Sequence, residues 1–411
     1  MLFLYNLGIR VYYFFILFAS LFNKKARLWI RGRKKIFEQI HSKIDPNSSV
    51  IWFHCSSLGE FEQGRPVIEK IREIFPGRKI LLTFFSPSGY EIRKNYSGAD
   101  YIFYLPLDTK KNAVRFLNLV KPEAVFFIKY EYWFHFLSLL HKMNIKIYLI
   151  SGIFRSGQVF FKWYGKWFRK ILRTFHHLFV QDNESVELLQ SIGFENVTVC
   201  GDTRFDRVYA IAQKATEYPA IRSFIDGKLT FIAGSTWPPD EEIIVRFMNE
   251  NNLPVKYIIA PHEIHEQGIT QLQESIKGKT VRYTSMNESE IKEANVLIID
   301  TIGILSSVYQ YGNVAYIGGG FGKGIHNILE AATFGLPIIF GPNFKKFREA
   351  SELVKLNGAF SITNSDDLNT IINTFIKNHQ AFKTAGENTR EYVRRNLGAT
   401  DIITKFVRSS L

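Results

Sequence analysis

V-I-W-F-H-C-S-S-L-G-E-F-E, residues 50–62, decides how the rest of the chain is read. An apolar run opens the stretch, the small residues Ser56, Ser57 and Gly59 break it, and Glu60 stands where a helix begins. The pattern predicts the first strand of a parallel sheet turning into its first helix. It sets one carboxylate at the carboxyl end of that strand, where open α/β sheets keep their ligands.

The same alternation continues outward. S-V-I-W-F-H, K-I-L-L-T-F-F, Y-I-F-Y-L-P-L, A-V-F-F-I-K-Y, K-I-Y-L-I-S-G, H-L-F-V-Q-D and V-T-V-C-G-D are short apolar runs separated by helical stretches. That is the mark of a parallel sheet covered on both faces. A second series follows, L-T-F-I-A-G, V-K-Y-I-I-A-P, T-V-R-Y, V-L-I-I-D, V-A-Y-I-G-G and P-I-I-F-G-P. We therefore expect an α/β chain with two doubly wound, Rossmann-like domains, at 41–206 and 229–388, joined by a linker at 207–228 and facing a central cleft. A basic helix over 389–411 is expected to pack back on the first domain.

Before the first domain, residues 1–40 form a different segment. Leu2 to Phe22 is apolar and aromatic apart from Asn6, Arg10 and a few small residues, and Lys24, Lys25, Arg27, Arg31, Arg33, Lys34 and Lys35 follow it. A secretory signal carries its cations ahead of the apolar run, so this order reads instead as a membrane-associated helix. It has about the minimum length for a span, Arg10 is expensive in mid-bilayer, and an interfacial helix fits as well. Either way the cations belong on the cytoplasmic side, against anionic lipid.

The bulk numbers agree with this division. A chain of 411 residues is too long for one ordinary core. Its formal net charge of +14 implies an anionic partner, whether nucleic acid, a membrane leaflet or acidic substrates. Two cysteines, Cys55 and Cys200, suggest neither a disulfide framework nor a thiolate metal site. The 37 phenylalanines read as core rather than as a stacking platform for bases.

Three strand-to-helix junctions in the second series are candidate ligand contacts. I-G-G-G-F-G-K-G-I-H-N-I-L-E, 317–330, ends a strand in glycines, and a helix is expected to begin near His326 or Asn327, its free N–H groups suited to a phosphate. It is not a Walker A loop, since the spacing before Lys323 is one short and Gly324 replaces the metal-binding Ser or Thr. In A-G-S-T-W-P-P-D-E-E, 233–242, Ser235 or Thr236 is expected to cap a helix whose first turn accepts Pro238 and Pro239. In A-P-H-E-I-H-E, 260–266, His262 and His265 do not have the H-E-x-x-H spacing, so a loop touching a ligand is the better reading than a metal site.

Glu131, in K-Y-E-Y-W, is a second acid just past a strand of the first sheet. A general base needs a pKa near the working pH, yet a helix amino terminus depresses that of Glu60. Burial or a neighbouring carboxylate must push it back up, and Glu131 is the candidate neighbour. Arg204, in G-D-T-R-F-D, offers a cation near the same end of the sheet, or pairs with Asp202 or Asp206.

W-F-H-C-S-S-L-G-E-F-E, Y-L-P-L-D at 104–108, E-Y-W at 131–133, G-D-T-R-F-D at 201–206, A-G-S-T-W at 233–237, A-P-H-E at 260–263, D-T-I-G at 300–303 and H-N-I-L-E at 326–330, in this order and spacing, resemble the 3-deoxy-D-manno-octulosonic acid (Kdo) transferases of lipopolysaccharide synthesis, which have the GT-B fold. The resemblance covers nearly the whole chain. It implies an inverting glycosyltransferase with CMP-Kdo as donor, a lipid A precursor (lipid IVA) as acceptor, and no metal or other cofactor. It further implies Glu60 as general base, Glu131 and Arg204 as stabilisers of the transition state, and CMP contacts at Pro261, His262, Ile302, Gly303, Ile304, Asn327, Ile328, Leu329 and Glu330. The implied setting is the cytoplasmic face of the inner membrane.

The chain departs from the family's commoner pattern at four positions, with His262 for Arg, Arg204 for Lys, and Ile304 and Lys129 for acids. Two rival readings remain, another GT-B transferase using a UDP-sugar, and a membrane-tethered binding protein for anionic polymers. CMP against UDP competition separates the first, and salt-dependent polymer binding would favour the second.

Overall fold

The computed structural model describes residues 1–129, 131–251 and 253–411, Glu288 by its backbone. These fall into two compact units, Met1–Arg207 with Leu397–Leu411, and Val208–Asn396.

The first unit is built on seven parallel strands, β1 (Val50–Cys55), β2 (Lys79–Phe84), β3 (Tyr101–Tyr104), β4 (Pro122–Ile128), β5 (Lys146–Gly152), β6 (His177–Val180) and β7 (Val197–Val199), all of them legible as apolar runs. Their order is β3-β2-β1-β4-β5-β6-β7. The chain thus winds outward from β1 in one direction, then returns to lay β4 on the other side of β1. The crevice between the ends of β1 and β4 is the topological switch point, where such sheets bind ligands.

β1 is buried along its whole length, and its alternating side chains feed two cores. Val50 and Trp52 join a cluster with Phe103, Phe127, Phe116 and Phe136. The Trp52 ring lies 4.9 Å from that of Phe116 and 5.5 Å from that of Phe127, and burying one such side chain contributes about 2–3 kcal/mol. Ile51, Phe53 and Cys55 pack on the opposite face against Phe61, Val67, Ile68, Ile403 and Val407.

Three helices precede β1: α1 (Leu2–Ala19), α2 (Lys24–Arg33) and α3 (Ile36–Lys43). α3 buries Ile36 and Ile40, whereas α1 buries none of its residues fully. α4 (Leu58–Ile74) follows β1. The single helix read over 389–411 is two, His379–Arg395 and Ala399–Ser410, because Gly398 at φ 106° breaks the chain between them. The Asp206 carboxylate accepts the N–H groups of Gly398 and Thr400, both at 2.7 Å, and so caps the second of the two.

The second unit repeats the plan with β8 (Leu229–Thr236), β9 (Val255–Pro261), β10 (Thr280–Arg282), β11 (Val296–Ile298), β12 (Val314–Ile317), β13 (Ile338–Phe340) and β14 (Ala359–Ser361). The order β10-β11-β9-β8-β12-β13-β14 puts its switch point between β8 and β12. β14, only A-F-S, is too short to show as a run and was not expected. The glycines after β12 serve close packing: a Cβ on Gly318 would stand 2.1 Å from the Ser235 carbonyl oxygen, and one on Gly320 2.5 Å from the Gly341 nitrogen.

Two expected helix starts move. The helix after the glycines is Leu329–Thr333, only five residues, and its Leu329 N–H already donates to Asn327 Oδ1 at 3.1 Å, so no open helix end forms at His326. The helix Pro238–Glu250 is capped neither by Ser235 nor by Thr236. Asp240, reaching back, accepts the Trp237 N–H at 2.9 Å, while Thr236 Oγ1 donates to Glu241 at 2.8 Å.

Candidate active site

Ser57 starts α4, and Glu60 is the third residue of that helix. Its Oε2 accepts the Ser57 N–H at 3.2 Å and, more closely, the Ser56 N–H, so the acid closes a capping box on its own helix. Those bonds favour the charged form. Burial opposes them, the negative charge of Glu131 adds to the opposition, and the Glu60 carboxyl is pushed up to about 7. The conflict foreseen from the sequence is thus resolved in favour of a carboxyl that titrates near neutrality.

Glu131 comes from the end of β4, across the switch point. Lys129, just past β4, is a non-glycine residue at φ 68°, and its N–H donates to Ile150 on β5 at 2.9 Å. A left-handed residue beside a ligand crevice stores strain of about 1 kcal/mol or more, held by the surrounding sheet. Lys129 also supplies the positive charge nearest Glu60 in effect, drawing its pKa down a little. Sequence reasoning saw Lys129 only as a departure from pattern.

A buried relay holds Glu131. His54 on β1 is paired in register with Thr83 on β2 and Phe127 on β4. Trp52 Nε1 donates to Thr83 Oγ1 at 2.7 Å, and Thr83 Oγ1 lies 2.9 Å from His54 Nδ1. His54 Nε2 lies 3.2 Å from Glu131 Oε2, and Trp133 Nε1 donates to the same oxygen at 2.5 Å. A carboxylate accepts only, so His54 carries its proton on Nε2 and takes the Thr83 hydroxyl proton at Nδ1. Sequence analysis passed over His54 and Trp133. The available signal was a histidine inside the apolar run V-I-W-F-H-C, where a polar side chain must find partners.

Arg204 pairs with Asp202 rather than Asp206. Its Nε and Nη2 both lie 2.8 Å from Asp202 Oδ2, and burial of that acid is outweighed by Arg204, which holds it below the usual carboxylate range. Gln63 Nε2 donates to Asp202 Oδ1 at 3.0 Å, and Gln63 is one helical turn past Glu60 on α4. The guanidinium is thereby fixed beside the first turns of the helix that carries the acid.

In the second unit, Pro261 ends β9 and the His262 N–H donates to Thr236 at 2.8 Å, tying the loop to the end of β8. The His262 ring stacks on Trp237 at 4.7 Å and on His326 at 4.2 Å. Trp237 Nε1 donates to His326 Nε2 at 2.9 Å, so His326 carries its own proton on Nδ1. Ile302, Gly303 and Ile304 form the turn after β11, the neighbour of β9. Ile302 is 87% exposed and Gly303 has φ 95°. Asn327 Nδ2 donates to Glu330 Oε1 at 2.9 Å, while the side chains of Ile328 and Leu329 are buried in the core, leaving only their backbone to meet a ligand.

A family model described as 3-deoxy-D-manno-octulosonic-acid transferase (kdotransferase) matches residues 30–207, the stretch that holds Glu60, Glu131 and Arg204. A 3-deoxy-D-manno-octulosonic acid transferase of Aquifex aeolicus is 29% identical over 83% of this chain and 90% of its own length. One of Rickettsia bellii is 27% identical over 96% of each.

Over most of its length the chain is similar to Kdo transferases. Kdo transferases are glycosyltransferases, and the two-sheet architecture agrees. UDP-GlcNAc 2-epimerase from Neisseria meningitidis, solved with UDP-GlcNAc bound, superposes with a TM-score of 0.59 over 87% of this chain and 99% of that one, at 14% identity. A glycosyltransferase from Rickettsia africae gives 0.56 over 89% and 98%, at 12% identity. At such identities the likeness fixes the GT-B type of fold alone, and the likeness to Kdo transferases comes from the sequence relatives.

Proposed function

We propose that the chain transfers Kdo from CMP-Kdo to a lipid A precursor in lipopolysaccharide synthesis, with inversion at the anomeric carbon. The observation that carries the mechanism is the Glu60 carboxyl held at about 7 at the switch point of the first unit. An acceptor hydroxyl attacks the anomeric carbon of Kdo, its proton passes to Glu60, and the bond to the CMP phosphate breaks with its electron pair leaving on CMP. Glu131 and Arg204 would stabilise the charge that develops, and Pro261, His262, the turn Ile302 to Ile304 and the segment Asn327 to Glu330 would hold the nucleotide. The net charge of +14 suits a donor and an acceptor that are both anionic.

α1 supports a membrane setting. Leu2–Ala19 is long and apolar enough to cross a bilayer. Its Tyr5 hydroxyl, however, donates to buried Asp108, Asn6 Oδ1 lies 2.7 Å from His135 Nε2, and Tyr12 packs on Trp29 and Phe85. One face of α1 is thus docked on the first unit while Phe3, Phe14, Phe15 and Phe18 are exposed, which favours a helix lying in the interface over one crossing it. We place the enzyme at the cytoplasmic face of the inner membrane, against anionic lipid.

The deciding experiment incubates purified protein with CMP-Kdo and a lipid A precursor and reads product masses. Kdo-extended product with CMP release is expected. Absence of product from CMP-Kdo together with transfer from a UDP-sugar would overturn the reading.

A further inference from the structure

Resting on the reading of Glu60 as the base, we propose that His54 is the positioning residue of the carboxylate pair, its Nε2–H fixing Glu131 so that the negative charge of Glu131 stays set against Glu60.

The case is geometric. His54 is completely buried, and among the described residues its ring nitrogens meet polar groups on three sides: the Thr83 hydroxyl at Nδ1, and Glu131 and Trp133 at Nε2. The Trp133 Nε1–H, 3.2 Å from His54 Nε2, goes instead to the nearer Glu131 Oε2 at 2.5 Å, which leaves His54 Nε2 free to be a donor. Trp52 Nε1–H fills one lone pair of Thr83, the Thr83 hydroxyl turns its proton to His54 Nδ1, and His54 Nε2–H points at Glu131. The alternative acceptor for the Thr83 hydroxyl, the Phe53 carbonyl, is farther away at 3.4 Å. The relay is anchored on β1 and β2 and ends on a carboxylate past the end of β4, two residues after the left-handed Lys129. Core packing alone does not account for such a chain, because a phenylalanine at 54 would satisfy the surrounding Phe127 and Trp133 rings without any hydrogen bond.

The charged and titratable groups that act on Glu60 are Glu131, Lys129 and the N–H groups of Ser56 and Ser57. Cys55 lies beneath them, and burial together with Glu60, Glu131 and Glu62 keeps its thiol protonated. Of these, only the Glu131 charge depends on the His54 bond. Loosening Glu131 therefore weakens one opposing charge and leaves the rest in place, so Glu60 should give up its proton at lower pH.

The test is the pH profile of kcat at saturating donor for wild type, His54→Phe, His54→Gln and Glu131→Gln, with Glu60→Gln as the control for the base. We expect His54→Phe to move the acid limb down by about half a unit to one unit, in the direction of Glu131→Gln, and His54→Gln, which keeps a donor at nearly the same reach, to leave it near wild type. If His54→Phe does not fold, Thr83→Val reads the relay from its other end and should give a smaller shift of the same sign. An unshifted limb in His54→Phe, or in Thr83→Val where it replaces it, beside a shifted one in Glu131→Gln overturns the proposal and leaves the base intact. Equal shifts in the Phe and Gln variants overturn it as well, since the hydrogen bond would then not matter. Undiminished turnover in Glu60→Gln removes the catalytic reading itself.

Discussion

Glu60 is half-buried at the first turn of α4 within the field of Glu131, and these two causes hold its carboxyl up to about 7 although its Oε2 accepts the N–H groups of Ser56 and Ser57. One side chain thus has two roles that pull its proton affinity in opposite directions. As a cap it prefers charge, and as a partly desolvated acid beside another acid it prefers the proton. The net result is a group that exchanges its proton in the range where a base is useful.

The activity should follow that titration. The base form is the ionised one, so kcat should rise with pH through an acid limb near 7 and flatten above it. Glu131→Gln removes the like charge and should move the limb down, yet not to the ordinary 4.5, because burial is the larger cause. A kcat profile measured from pH 5 to 9 checks both.

Glu60→Gln should separate chemistry from stability. Turnover should fall by about two to four orders of magnitude, since the amide cannot take the proton. The fold should gain. A carboxyl whose folded pKa is raised above 4.5 contributes stability that is complete below 4.5 and lost as pH rises through about 7, so the wild type carries a penalty at high pH that the amide lacks. The amide oxygen can still close the capping box. Urea melts should show the variant more stable by on the order of 1–3 kcal/mol at pH 8, with the gap vanishing near pH 4.

Arg204→Met should cost stability as well as rate. Asp202 has a side chain only 7% exposed and loses its ion pair, but the guanidinium is 35% exposed, so the cost is roughly 2 kcal/mol rather than the larger value of a fully buried pair. Because Asp202 is held below its usual range, this stability is present above about 4 and lost as pH falls through the folded value. Melts at pH 7 and pH 3 should show the difference closing at the acid end. A role in stabilising the transition state is checked by Arg204→Lys, which should restore most of the stability, with kcat reporting what the second hydrogen bond of the fork adds.

α1 should bind membranes through its exposed face and the protein through the other. Replacing Phe14, Phe15 and Phe18, which are 67%, 69% and 66% exposed, by Ser should weaken co-sedimentation with anionic vesicles and leave folding unchanged. Tyr5→Phe should do the reverse. It removes one donor to Asp108, which still accepts the N–H groups of His135 and Phe136 at 3.0 and 3.1 Å, so the unit folds while α1 undocks and is cut faster by protease.

His262→Arg should tighten CMP binding about tenfold, the worth of one charge-assisted hydrogen bond of roughly 1.5 kcal/mol. A planar guanidinium can keep the stack between Trp237 and His326 that the imidazole makes now. Calorimetric titration with CMP measures it.

The strands show why so much was legible. The central strands β1, β4, β5, β8 and β9 are buried along nearly their whole length and therefore largely apolar, which writes them directly into the sequence. Helix starts were less legible. Asp240 caps from inside its helix and Asn327 from two residues before Leu329, and a list of capping residue types does not say which of several neighbours will turn back.

What the sequence determined by itself was the two parallel sheets, the positions of Glu60 and Glu131 just past strands and of Arg204 after the last strand of the first sheet, and the resemblance to Kdo transferases, because each depends on local pattern or on order along the chain. The tertiary structure decided which charges act on which. His54 and Glu131 are 77 residues apart and Gln63 and Asp202 139 apart, yet each pair is joined by one hydrogen bond. Burial and the field at Glu60 are sums over such neighbours, brought together only by the winding of β1, β2 and β4, so its carboxyl could be placed from sequence but its proton affinity could not.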